Sequence, residues 1–142
     1  MLQKFLKVSL SGALGAVALV LTLAATGGAQ EKKDAKDEKV TTIKEIMQKG
    51  HKGTDAFIAK IKSEAKEGKW EDAQAHAKAL AVFGEHLGKN KPAKGDEKSW
   101  ETLSKKYAES TKAALKATED KDAKAVDKAL MINCMECHKA HR

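Results

Sequence analysis

DAKAVDKALMINCMECHKAH, residues 122–141, decides the fold. Ala123, Val126, Leu130, Cys134, Cys137 and His141 recur at spacings of three and four, so one helix face carries them all. Asp122 is placed to cap the start of that helix. The stretch also contains Cys134-Met135-Glu136-Cys137-His138, a C-x-x-C-H sequence.

Three further segments, read outward from this one, show the same periodicity. The nearest begins around Ser99, a candidate N-cap, and places Trp100, Leu103, Tyr107, Ala114 and Leu115 on one stripe, with Thr111 in the gap. The next runs from Trp70 to Leu87 through Ala73, Ala77, Leu80 and Gly84. The first runs from Thr42 to Lys66, with Ile43, Ile46, Met47, Phe57, Ile58, Ile61 and Ala65 apolar and Gly50 and Thr54 filling the stripe. Gly68 stops it, and Gly88, Asn90, Pro92 and Gly95 form the one substantial loop. No segment alternates as a strand does. The expected fold is all-α, an antiparallel up-down-up-down four-helix bundle over residues 40–142. Many stripe positions are Ala or Gly, so the core is thin, and a large apolar cofactor between the helices would fill it.

The chain start differs from the rest. Lys4 and Lys7 precede an uncharged run from Val8 to Ala25, small residues follow, and charge returns at Glu31. That order predicts a secretory signal peptide over residues 1–29, cleaved near Ala29. The other reading is a retained membrane anchor, since the run is close to spanning length. Residues 30–39 read as a flexible charged leader. Cleavage removes two of 27 basic residues and none of 20 acidic ones, lowering the net charge from +7 by two. Lys is interspersed with Glu and Asp and no aromatic series accompanies it, which argues against nucleic acid and leaves a preference for acidic partner surfaces.

In an exported chain the C-x-x-C-H sequence is the attachment signature of a c-type haem. Each thiol adds to one vinyl group of the haem edge. Two intervening residues let both sulfurs reach that edge from one turn, and His138 then projects its imidazole to the iron. A dithiol redox centre would sit at a strand–helix junction, absent here. A zinc site would need a second Cys pair, and the chain has two cysteines in all. For the other axial position the candidates are Met47, His51, His76, His86, Met131 and Met135. Met131 and Met135 share the haem-bearing segment and cannot easily reach the opposite face. His51 reads as surface or rim, and His76 and His86 as partly exposed. Gly50 and Gly53 near Met47 would let a flat macrocycle approach closely. Spacing alone leaves Met47, a core-filling Met47 and an empty position all open.

Over residues 40–142 the chain resembles the class II cytochromes c, the cytochrome c-prime family of four-helix bundles. The resemblance lies in the C-terminal position of Cys134, Cys137 and His138, in Arg142 four residues after His138, in Trp100 opening the third segment, and in Ile46-Met47 at the family's distal position. His141 departs from it, standing where an aromatic commonly precedes the Arg, and the loop around Pro92 is shorter. The resemblance implies one covalent haem c, ligated by His138 and, as in the low-spin branch, by Met47, with Arg142 in the cofactor's surroundings. It implies a periplasmic electron carrier rather than an enzyme, with redox partner proteins and homodimer formation common in the family. High-spin members, with an open distal site, bind small gases instead. A peroxidase would need a distal His and Arg pair, which is not evident.

Overall fold

The computed structural model describes residues 39–142, so the expected signal peptide (1–29) and nearly all of the expected leader (30–39) lie outside the described residues. The described chain is all-helical: α1 Ile43–His51, α2 Phe57–Lys66, α3 Trp70–Lys89, α4 Glu97–Glu119, α5 Ala123–Ala129 and α6 Cys134–His141. None of these helices is long and apolar enough to cross a membrane.

Two of the four segments expected from periodicity divide. Thr42–Lys66 breaks after His51, where Lys52 turns extended and Gly53 adopts φ +82°. Gly53 is one of the few residues that take this left-handed backbone without strain, and two nearby glycines weaken the helix at this point. Thr54, expected on the stripe, is exposed in the turn, and Ala56 is buried in its place. The last segment breaks between Leu130 and Asn133. Asn133 caps α6 through its side chain, which accepts from the Glu136 N–H at 3.4 Å. The break rotates the face: Val126, Leu130 and His141 are buried, Cys137 is half-buried and Cys134 is exposed.

The other starts and stops follow the capping chemistry. Thr42 and Glu45 form a capping box at α1, with the Glu45 N–H donating to Thr42 Oγ1 (3.3 Å) and the Thr42 N–H to Glu45 Oε2 (3.1 Å). Asp122 caps α5 by accepting from the Lys124 and Ala125 N–H groups at 2.9 and 3.0 Å. Gly68 ends the α2 region at φ +74°. Ser99 is not the cap of α4. Asp96 is, accepting from the Ser99 N–H at 2.8 Å, because a carboxylate three residues earlier reaches the free N–H groups of the first turn.

α3 packs on α2 and α4, α5 packs on α4 and α2, α1 rests on α2 and α3, and α6 lies on α4. Ile46, Ile61, Leu80 and Val126 are fully buried, and Ala65, Ala73, Ala77, Ala114 and Ala117 supply much of the remaining interior. Small residues bring helices close. The tightest approach is at Gly84, where an added Cβ would run into Thr111 Oγ1 and stand 2.9 Å from the Ala108 Cα. Gly84→Ala should therefore destabilise the fold by about 1–3 kcal/mol, the usual range for overpacking. Urea denaturation monitored by circular dichroism checks this; a midpoint equal to that of the parent would show that α3 and α4 part freely here.

Candidate functional site

An apolar cavity of about 1440 Å³ opens between α1, α4, α5, α6 and the loop before α4. It is larger than an ordinary ligand pocket of about 300–1,000 Å³. α4 supplies one wall through Trp100, Leu103, Tyr107, Ser110 and Ala113, at helical spacings of three and four. Ala125 and Ala129 of α5, then Ile132, continue it. Cys134, Cys137 and His138 all line it, held by the first turn and a half of α6. Met47 lines it from α1, half-buried, and the exposed Arg142 stands at its edge. All five residues singled out from the sequence thus border one cavity.

Both cysteines are free thiols. Burial, the nearby Cys134 and the Glu136 carboxylate push the Cys137 thiol up from its ordinary range, so it stays protonated near neutrality. Glu136 also pairs with Lys106 at 3.6 Å, tying α6 to α4. Lys44, Lys52, Lys91, Lys106, Lys128 and Arg142 border the cavity against only Glu109 and Glu136, so its mouth favours anionic groups.

The sequence left one pair unseen. His51 lies one turn beyond Met47 and reads as surface, yet it is half-buried in the cavity wall, its Nε2 2.9 Å from the Tyr107 hydroxyl. The two rings are tilted at a centroid distance of 5.5 Å. Tyr107 is 6 % exposed, and burial, with Cys134 nearby, raises its phenol well above the usual range, so it acts as a neutral hydrogen-bonding group. The stripe positions of Tyr107 and Met47 were signals for the wall, but nothing local in sequence reports a bond between residues 56 apart.

The other histidines are occupied elsewhere. His76 pairs with Glu64 at 2.9 Å beside Phe57. His86 is buried, not partly exposed, and its Nδ1 accepts from the Thr41 N–H at 3.1 Å. Neither Gly50 nor Gly53, expected to admit a macrocycle, lines the cavity. A Cβ on Gly50 would meet Leu80, Phe83 and Tyr107 at 3.5–3.8 Å, and one on Gly53 would meet nothing within 4 Å. Gly53 serves the turn. Among the described residues no group of three or more His, Cys, Asp or Glu is arranged to hold a metal ion by itself. No family profile, curated protein or solved structure matches this chain.

Burial, and next the charge of His138, lower the pKa of His51 below 6.5. The unfolded chain then binds a proton that the folded one refuses, so stability increases with pH across the interval from the folded value to 6.5. The contribution of His51 is complete above pH 6.5 and is lost as pH falls through that interval. Thermal melts between pH 7 and pH 5 should show the His51→Gln variant losing less stability than the parent; parallel curves would remove His51 as a cause.

Proposed function

We propose that the chain is an exported, single-haem c-type cytochrome that carries electrons, and that Cys134 and Cys137 would attach its haem c while His138 and Met47 would ligate the iron. The observation that carries this reading is that these four side chains open onto the same apolar cavity. The residues fit the group. Two thiols three positions apart start a helix, an imidazole follows, and the cavity is apolar and large enough for a macrocycle. Bound haem supplies a one-electron couple. His138, next in sequence to Cys137, would supply an imidazole ligand to the iron. Met47 offers a soft, uncharged thioether, which favours the reduced state relative to a second imidazole. Covered by a bound group, the apolar wall from Trp100 to Ala113 would keep water from one of its faces, which would limit reorganisation on transfer. The basic mouth suits the propionates, with Arg142 among the residues meeting them, and would steer a partner with an acidic surface through a small, transient interface.

The arrangement this reading implies is the antiparallel four-helix bundle of the class II cytochromes c, which the chain resembles, with α1 and α2 together forming the first helix and α5 and α6 the last. Localisation in the periplasm follows from the signal peptide read over residues 1–29, and pairing into homodimers from the resemblance.

A second reading, reversible binding of a small gas such as NO or CO, is favoured by the His51–Tyr107 pair, which gives the cavity a polar group one turn from Met47. The visible spectrum separates the two. Protein matured in an oxidising compartment should carry covalent haem by mass, show a low-spin reduced spectrum and resist carbon monoxide. Met47→Leu should turn it high-spin and reactive to carbon monoxide. A high-spin parent would favour the gas reading, an unchanged Met47→Leu spectrum would remove Met47 as ligand, and a mass without haem would sink both.

A further inference from the structure

α6 has eight residues, and a helix so short is marginal by itself. Its one buried residue is His141, in the last turn, three positions after His138. The His141 ring stands edge-on to Trp100 at 5.3 Å between centroids. Its Nδ1 lies 3.0 Å from the Lys94 carbonyl oxygen, and its Nε2 3.2 Å from Ser99 Oγ. A carbonyl only accepts, so Nδ1 carries the proton, and in the neutral ring the Ser99 hydroxyl donates to Nε2. Both polar atoms of the ring are therefore satisfied, and both partners belong to the α3–α4 connection or the start of α4.

The connection is fastened elsewhere only at its ends. Asn90 is held where its carbonyl accepts from Trp100 Nε1–H at 2.7 Å, and Asp96 caps α4. Among the described residues, the bond to His141 is the single hydrogen bond found for residues 91–95. Gly95 completes the fit: it adopts φ +95°, and a Cβ there would stand 2.5 Å from both the Ala140 carbonyl oxygen and His141 Nδ1. Lys91, Pro92 and Ala93 of this loop line the cavity, as His141 does.

We infer that His141 is a positioning residue: it latches α6 to the 91–95 loop across the mouth of the cavity, and so fixes where Cys137 and His138 stand. An ordinary aromatic at this position could pack on Trp100 but could not hold the loop. The latch itself stands on the geometry, whereas its effect on an iron centre rests on the haem reading above.

The test uses the full mature chain with two readouts, tryptic cleavage at Lys94–Gly95 and the reduction potential and visible spectrum of the haem. His141→Phe keeps the ring on Trp100 and removes both hydrogen bonds. Losing two neutral hydrogen bonds should raise cleavage at Lys94 by about tenfold or more. It should also lower the potential, because a loosened α6 admits water that favours the more charged oxidised state. His141→Asn, which keeps a donor for the Lys94 carbonyl, should recover most of the cleavage resistance. Parental cleavage and potential in a folded His141→Phe would overturn the inference. Should His141→Phe fail to fold, Ser99→Ala decides the matter, since it cuts one bond without touching α6: faster cleavage supports the latch and parental cleavage overturns it. If the protein proves to carry no haem, the cleavage readout still judges the latch, so the two readings fail separately.

Discussion

α3 and α4 approach closely where Gly84 faces Thr111 and Ala108, and the site depends on that approach. With no side chain at residue 84, the two longest helices seat backbone against backbone. That contact settles the rotation of α4. Ser104, Thr111, Ala114 and Thr118 turn into the interior, and the hydroxyls of Ser104, Thr111 and Thr118 return to their own helix carbonyls at 2.6–3.1 Å rather than remaining unpaired. The remaining apolar rhythm, Trp100, Leu103, Tyr107 and on to Ala113, then faces sideways and becomes the cavity wall. α6, a short helix lying on α4, inherits its place from the same orientation. A shift of α4 about its axis would carry the wall, Tyr107 and the α6 platform with it.

The sequence was informative where a signal is local. The 3.6-residue rhythm located the helical regions, and Asp122 and Gly68 marked ends by side-chain and backbone chemistry that acts within four residues. It was less informative where the rhythm continued through a break. Gly50 and Thr54 kept the stripe in phase across residues 52–56, so the turn at Gly53 was hidden. Leu130 to Cys134 kept the phase of the last segment, although one helix ended at Leu130 and Asn133 capped another. The Cys134–His138 motif could be picked out because its chemistry is written in residue type and spacing, whereas Met47 as a ligand was implied only by the family resemblance. The bonds from His51 to Tyr107 and from His141 to Lys94 join residues 56 and 47 apart, and a single chain carries no local trace of either.

The thin core and the large cavity are two aspects of one composition. Alanines let α2, α3 and α4 pack closely on one side, and Ala113, Ala125 and Ala129 leave room on the other. Apolar surface of that extent lowers the free energy of the fold in proportion to the area kept from water. A flat apolar group seated against Trp100, Leu103 and Ala113 would therefore act as part of the core, and its binding energy would add to stability by mass action. Under the proposed reading this coupling gives a reason for the covalent anchor. A group that completes the core must not dissociate, and two thioether bonds from Cys134 and Cys137 would hold it with α6, which has one buried side chain of its own. The polar His51–Tyr107 pair then matters because its two side chains hydrogen-bond to one another within that wall. A half-buried imidazole and a buried phenol that satisfy one another can stay neutral in an apolar setting.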